Sequence, residues 1–366
     1  MANPRVLIND IDIYALGYVS DIIDVNEKKT FQKDKFISNS YTFTVENYDN
    51  FFTVNNPKSI FFGTTWLYST CVIYNRDNEK IWDGIVTQVD RNHNTKTANI
   101  TTKNNLFKVR NELVSYISSD WETPAEAVKN VLDNIGYTGY NEASINTSID
   151  RYTTADCYIK CNINLEDNMT VQAFIEKLAD YGNADAYSHL GELYFVHWKP
   201  FTGGVSINLN TNERDKFRSL PQVAEMESDL INDYSIGYDG DGGTPATDAD
   251  NNNIGNVSRS RYGTHSLPET NSDGDQQIVY KDLTSAVYIG KGYIRRTHKD
   301  LTTDPQPLSK ISFNLFSDNK EWITLQSYFR LTFSDENWTN KIFEVFEFTI
   351  DEDNDDIKLM AYEVVE

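Results

Sequence analysis

The apolar positions change period along the chain. Residues 168–200 (NMTVQAFIEKLADYGNADAYSHLGELYFVHWKP) show the change most clearly. Val171, Phe174, Ile175 and Leu178 recur at i, i+3, i+4 and i+7, the spacing of one buried helical face. Thr170 suits the N-cap, and Gly182 suits the position past the C-cap. Beyond it the period falls to two: Asp185, Tyr187 and His189, then Leu190, Glu192, Tyr194, Val196 and Trp198, flank Gly191 as two strands flank a tight turn. Pro200 stops the pattern.

Strand periodicity dominates before this stretch. Residues 5–14 predict two short strands around Asn9 and Asp10, and 41–47 (YTFTVEN) predict a clear alternating strand. Residues 59–75 predict one or two long strands, followed by strands over 80–90 and 95–104. This is a β-meander of the size of a small barrel or sandwich. From 105 the pattern turns mixed. Thr123-Pro124-Ala125-Glu126 is a capping box with proline at the first helical position. Val128, Val131, Leu132 and Ile135 form one apolar face, and Gly136 ends that helix. A strand is expected over 155–164, ahead of the helix at 170–181.

After the hairpin, 229–238 predicts a strand and 240–256 a Gly/Asp/Asn-rich loop. Residues 258–264 (SRSRYGT) are locally basic. Residues 283–296 have a helical pattern that Gly290 and Gly292 weaken. Beyond Pro305 and Pro307 the chain is β again, in LSKISFNLF, ITLQSYFRLTF, KIFEVFEFTID and DIKLMAYEVV.

The 366 residues suffice for about two to three domains. Aromatic residues make up 13%, which favours strands. No run of 18 apolar residues predicts a membrane helix, and MANPRVLIND lacks a secretory leader pattern. The net charge of −22 opposes stable nucleic-acid binding. It is consistent with plain solubility, with a surface that DNA passes without sticking, or with a basic partner.

Candidate chemistry is sparse. Cys157 and Cys161, four apart in a strand, would sit about 13 Å apart, too far to bridge. With Cys71 they are expected reduced, and no His or Cys joins them at zinc spacing. Asp248, Asp250 and Asn252 resemble the start of a calcium loop. Asn253 stands where its glycine is needed, and Arg259 where its closing carboxylate is needed. Asp351, Glu352, Asp353 and Asp355 fall in an expected hairpin turn, exposed and mutually repelling, a poor setting for acid/base pairing. His93, His189, His197, His265 and His298 are scattered. No nucleophile elbow, H-E-x-x-H or phosphate loop is present. Catalytic, cofactor-binding and metal residues are therefore expected to be none. Trp66, Trp121, Trp198 and Trp338 offer sugar-stacking surfaces if exposed, or core and interface residues if not.

A weak internal repeat joins the two β regions. Lys80-Ile81-Trp82 and Lys341-Ile342-Phe343 each follow a polar turn, and Val89-Asp90 and Ile350-Asp351 stand at matching offsets. Ala98-Asn99-Ile100 then answers Ile357-Lys358-Leu359. Chance likeness between polar hairpins explains this as well as duplication does.

The order of elements resembles the tail hub, or baseplate hub, proteins of tailed bacteriophages, related to the hub part of type VI secretion spikes. Trp82-Asp83-Gly84-Ile85-Val86 is similar to the W-x-G-x-V strand of that family's first barrel. Thr170, Ile175, Leu178 and Ala179 fit its T-x-x-x-x-I-x-x-L-A helix, with the hairpin running to Trp198. Tyr262-Gly263, a helix from Thr284-Ser285-Ala286, and Pro307 follow in the family's order. Ser327-Tyr328-Phe329-Arg330 departs from the family's G-D-x-V phrase, which puts the second barrel in more question than the first.

The resemblance implies a β-rich α+β, multidomain fold: two related tube-like β-barrels with an inserted α+β domain. The expected divisions are 1–118 for the first barrel, 119–217 for the inserted domain and 218–366 for the second barrel, with a long loop at 239–275. It further implies a non-enzymatic virion component without cofactors, a homotrimer at the tail tip that continues a hexameric tube and passes DNA at ejection. Its partners would be itself, tail tube and distal tail or baseplate proteins, and spike or fibre proteins, with DNA only in transit. It would be made in the host cytoplasm. With no appended lytic or spike domain before Glu366, such activity is expected in another chain. A host-surface carbohydrate-binding module, or a carboxylate glycoside hydrolase, are the alternatives.

Overall fold

The computed structural model describes residues 5–19, 25–28, 39–63, 65–75, 78–154, 158–225, 230–240, 244–247, 254–267, 278–299, 306–325, 327–351 and 355–364. The fold is β-rich α+β and multidomain. A first sheet is built from β1 (Arg5–Ile8), β2 (Ile11–Asp12), β4 (Ser40–Glu46), β5 (Thr70–Tyr74), β6 (Lys80–Asn92) and β7 (Thr97–Lys103), while β3 (Val25–Lys28) leaves it. Its order is β2-β1-β5-β6-β7-β4. The sheet curls: Val19, just past β2, bridges Val45 of β4, and Glu46 donates its N–H to Tyr18 O at 2.7 Å. Alternation fixes the faces. Tyr41, Phe43 and Val45 are buried while Ser40 and Thr42 are exposed.

The α+β unit follows, with β8 (Leu113–Ile117), α1 (Pro124–Asn134), α2 (Glu142–Tyr152), β9 (Cys161–Thr170), α3 (Val171–Gly182), β10 (Ala184–His189) and β11 (Glu192–His197). The chain next gives β12 (Ile207–Asn210) and β13 (Phe217–Glu225) to a second large sheet. It then returns to the α+β unit with β14 (Ser235–Ile236), β15 (Ala246–Thr247), α4 (Ile254–Tyr262), β16 (Ile278–Tyr280) and α5 (Leu283–Thr297). Finally β17 (Ser309–Leu315), β18 (Tyr328–Phe333), β19 (Trp338–Asp351) and β20 (Asp356–Glu363) complete the second sheet. Its order is β12-β18-β19-β20-β17-β13, and β3 pairs with β19. Residue 217 thus opens a strand of the second sheet, and residues between 231 and 294 pack in the same core as α1 and α3.

The two sheets repeat one another in register. One constant offset carries β6–β7 onto β19–β20: Ile85↔Lys103 becomes Glu344↔Tyr362, Val89↔Ile100 becomes Phe348↔Leu359, and Asn92↔Thr97 becomes Asp351↔Asp356. The bulges coincide as well, between Val86 and Gln88 and between Val345 and Glu347. On the outer side, Phe43↔Ile100 answers Phe313↔Leu359 and Val45↔Ala98 answers Leu315↔Ile357. The bond that closes the loop before the first meander, Val86 N–H to Ser69 O at 2.8 Å, recurs as Val345 N–H to Ser327 O at 2.9 Å. Chance pairing of polar hairpins would not preserve bulge, register and loop closure together. The departure at Ser327–Arg330 does not weaken the second sheet, because β18 holds the place of β5.

The repeat is, however, displaced by two residues from the Lys-Ile match. Phe343 sits opposite Phe329 as Gly84 sits opposite Cys71, so Phe343 answers Gly84 rather than Trp82. A two-residue slip leaves every side chain on the same face, so the hydrophobic pattern cannot reveal it. Gly84 is required where it stands: a Cβ there would strike the Lys103 carbonyl and the Trp82 ring.

Several other expectations are corrected. Among the described residues of 59–75 only Thr70–Tyr74 is strand, because the chain turns at Gly63 and at Tyr68, both at positive φ. The strand expected at 155–164 is β9, beginning at Cys161, with 155–157 outside the described residues. Residues 142–152 form α2, capped by Asn141, whose side chain accepts from Ser144 N–H at 2.9 Å. Gly182 lies inside α3; the left-handed residue past it is Asn183, at φ 46°. The strand expected at 229–238 is reduced to Ser235–Ile236 among the described residues, and 258–262 belong to α4.

The glycines of α5 do not break it. A Cβ on Gly290 would lie 2.5 Å from the Tyr234 ring, and one on Gly292 would strike the Asn183 side chain. These glycines permit close packing, which offsets their roughly 1 kcal/mol propensity cost.

Candidate functional site

The α+β unit is organised around the C-terminus of α3. A helix end leaves carbonyls without intrahelical partners. Here three consecutive ones are met by tyrosine hydroxyls from three other elements. Asp180 O accepts from Tyr293 of α5 at 2.5 Å, Tyr181 O from Tyr280 of β16 at 2.7 Å, and Gly182 O from Tyr152 of α2 at 2.7 Å. Gly182 O also accepts from His197 Nδ1 at 3.1 Å. Burial holds the His197 imidazole neutral, its pKa lowered to about 3, with Arg151 and Arg296 nearby adding to the effect. Beside it Arg296 of α5 pairs with Asp185 of β10; both are buried. The pair ties α5 to the hairpin.

The hairpin in turn meets the second sheet. A cavity of about 280 Å³ lies at this junction, lined by Arg151, Trp198, Lys199, Phe201, Tyr328 and Glu344 among others. Phe201 packs on Tyr328 with ring centroids 4.8 Å apart, and Tyr328 donates to Glu344 at 3.1 Å. Burial and the neighbouring Glu344 carboxylate push the Tyr328 phenol far up. Lys199 is held below its usual range by burial and by Arg151. A Cβ on Gly191 at the hairpin tip would lie 2.8 Å from the Asp83 carbonyl, so the tip lies close against the first sheet.

The second arrangement is a pair of matched open faces. In the first sheet Thr42, Thr44, Gln88, Asp90, Asn99 and Thr101 lie outside the core. Their hydroxyls and amides bond across strands: Thr42 to Thr101 at 3.1 Å, Thr44 to Asn99 at 2.9 Å and Gln88 to Asp90 at 2.7 Å. The matching positions in the second sheet are Ser312, Asn314, Glu347, Thr349, Lys358 and Met360, which line a shallow groove of about 290 Å³. At these twelve positions hydroxyls and amides outnumber charged groups.

Among the described residues the candidate chemical side chains do not converge. Asp355 occupies a turn at φ 51° and accepts from the Ser317 hydroxyl at 2.5 Å and from Ser317 N–H at 2.9 Å, which lower its pKa in that order; Glu352 and Asp353 lie outside the described residues. His93 is exposed in a turn, whereas His298 is buried and bonds Ser258 at 2.9 Å. Cys71 and Cys161 are free and buried, and Cys157 lies outside the described residues. So do Asp248, Asp250, Asn252 and Asn253 of the calcium-like loop, while Arg259 pairs with Asp233 at 3.0 Å. Among the described residues no group of three or more His, Cys, Asp or Glu could hold a metal, and no helix is long and apolar enough to cross a membrane. Trp338 is buried against Phe343, centroids 5.6 Å apart, and offers no stacking face; Trp66 packs on the core. Sequence reasoning missed the three-tyrosine cap, because Tyr152, Tyr280 and Tyr293 are far apart in the chain.

The fold recurs in known structures. The 43 kDa tail protein of prophage MuSo2 from Shewanella oneidensis matches with TM-score 0.59 at 11% identity, over 99% of this chain and 98% of that one. The chain has the fold of phage tail proteins. A tail protein from Neisseria meningitidis MC58 matches with TM-score 0.58 at 9% identity, over 99% and 96%. Prophage tail protein gp18 from Listeria monocytogenes EGD-e matches with TM-score 0.53 at 11% identity, over 99% and 94%. No family model matches the sequence, and no curated protein does either. The fold is thus shared with these tail proteins at 9–11% identity.

Proposed function

We propose that this chain is a structural subunit of a phage tail tip, a baseplate hub that assembles as a homotrimer and continues a hexameric tail tube. One observation carries the reading: the β5-β6-β7-β4 and β18-β19-β20-β17 sheets match in order, register and bulge. Three copies of a duplicated unit present six quasi-equivalent sheets, which adapts threefold symmetry to a sixfold neighbour. The tail-protein fold supports the same reading. In this proposal the two sheets are the tube-like units, and the unit around α3 braces them from the side. The hydroxyl- and amide-rich open faces border the DNA path. A surface without clustered cations, on a chain of net charge −22, offers phosphates no cations to displace their condensed counterions. Its partners are then further copies, tube and distal baseplate proteins, and spike or fibre proteins. The role is non-enzymatic, within the virion.

The test is an image of assembled tails with this chain labelled. Density for the label at the tip is expected; a label along the shaft or at the head end would refute the assignment.

A second reading has one observation in its favour. The cavity beside Trp198 and Phe201 combines aromatic faces with Arg151, Asp185 and Glu344, a suitable lining for a sugar. Glycan-array binding lost on Trp198→Ala would support it, and a blank array would remove it.

A further inference from the structure

The duplication leaves one difference that matters. In the second sheet the stretch of β19 beyond its bulge takes another strand on its free side: Val25–Lys28 pairs with Ile350–Glu347, as Ile350↔Val25 and Phe348↔Glu27. The donor, β3, comes from the N-terminal region. The matching stretch in the first sheet is Gln88–Arg91 of β6. There β7 pairs on one side, and β5 pairs no further along β6 than Ile85. Among the described residues no backbone or side-chain group bonds the other edge of Gln88–Arg91.

The polarity of that edge follows from the ladder. In an antiparallel pair, alternate residues send both backbone groups to the same neighbour. Asn47 N–H bonds Lys96 O at 2.7 Å, so the even residues of β7 face β4 and its odd residues face β6. Asn92 and Asp90, opposite Thr97 and Asn99, therefore bond β7. Val89 and Arg91 must point their N–H and C=O groups outward. Their counterparts are Phe348 and Ile350, the residues opposite Glu27 and Val25 of β3. The chain thus contains two equivalent acceptor edges, and among the described residues one of them is filled from within.

We infer that the Gln88–Arg91 edge of β6 accepts an extended segment of a second copy of this chain. A segment added there reproduces between copies the strand pairing that β3 makes within one copy. Main-chain bonds at such an edge give affinity with little demand on side-chain identity. The contact is head-to-tail, so it closes into a ring when the rotation permits, as quasi-equivalent sheets require. An unfilled edge of this kind is otherwise a liability for unspecific pairing. The inference rests on the trimer reading above and names the joint that would hold it.

The test compares Arg91→Pro with Arg91→Ala in the full-length protein. Both lose the side-chain bond from Arg91 Nε to Phe52 O at 2.8 Å; only proline also removes the outward N–H. Multi-angle light scattering over a concentration series should show Arg91→Ala assembling like the unaltered chain. Arg91→Pro should assemble at least about tenfold more weakly. Hydrogen exchange on the unaltered protein reads the same edge without a variant that could misfold. The Val89 and Arg91 amides should exchange about tenfold or more slower in the assembled state than in the monomer. Trimers whose Val89 and Arg91 amides exchange as fast as in the monomer would overturn the edge assignment and leave the trimer standing. So would a folded Arg91→Pro that trimerises normally. An unaltered chain that stays monomeric throughout would sink both.

Discussion

Phe313 stands to Leu359 as Phe43 stands to Ile100: each phenylalanine lies directly opposite its partner in one of two sheets that share register and bulge. Both phenylalanines are buried, Phe43 at 5% and Phe313 at 2% exposure. Equivalent places should respond equally. Phe43→Ala and Phe313→Ala are each expected to cost about 3–5 kcal/mol by denaturant unfolding. A cost near zero at either site would show that its sheet does not carry the core.

Gly290 permits α5 to lie on Tyr234. Gly290→Ala should destabilise the α+β unit by about 1–3 kcal/mol, since the added methyl meets the ring rather than open space. The same change at Gly240 meets nothing within 4 Å, so any cost there comes from its positive φ alone. Melting curves of the two variants check this, with an additional Tyr234→Leu change expected to recover part of the Gly290→Ala loss.

Arg296 and Asp185, both largely buried, join α5 to β10. Asp185→Asn leaves a buried guanidinium without its counter-ion and should cost about 3–5 kcal/mol. Arg296→Met with Asp185→Leu removes both charges and should cost clearly less. A double-mutant cycle on unfolding free energy measures the difference.

The buried imidazole of His197 makes the unit acid-sensitive. Its folded pKa is lowered to about 3 from an ordinary value near 6.5, so the unfolded chain binds the proton first. The contribution is complete above about pH 6.5 and fades as pH falls toward 3, at about 1.4 kcal/mol per unit. From pH 7 to pH 5 the loss due to this group should be about 2 kcal/mol. His298, also lowered by burial, acts in the same direction. His197→Gln, less stable at pH 7, should show a flatter pH dependence; an unchanged slope would contradict the assignment.

The sequence made the elements legible where local chemistry acts alone. The capping box at Thr123 and Glu126 forms both of its bonds, 3.1 and 2.6 Å, and Thr170 caps α3. Period-two alternation located β4, β6, β17 and β20. What failed depended on contacts distant in sequence. Gly290 and Gly292 read as helix breakers because Tyr234 and Asn183, which need the space, lie elsewhere in the chain. Of the repeat, Ala98–Ile100 against Ile357–Leu359 was in register, whereas the Lys80/Lys341 and Val89/Ile350 matches were two residues out, since a slip by two keeps the faces. The strands β12 and β13 sit in the second sheet although the chain returns afterwards to the α+β unit, and no local signal reports that order. The junction around Asp185, His197 and Arg296 was equally hidden: each residue is unremarkable alone, and only the fold brings them together.

The duplicated sheets of one chain are expected to serve a threefold assembly with sixfold character. Native mass spectrometry of the purified full-length protein tests this most directly. The account predicts a dominant species at three times the 42.0 kDa chain mass. A protein that remains at 42.0 kDa at every concentration, or that forms only dimers, would contradict it.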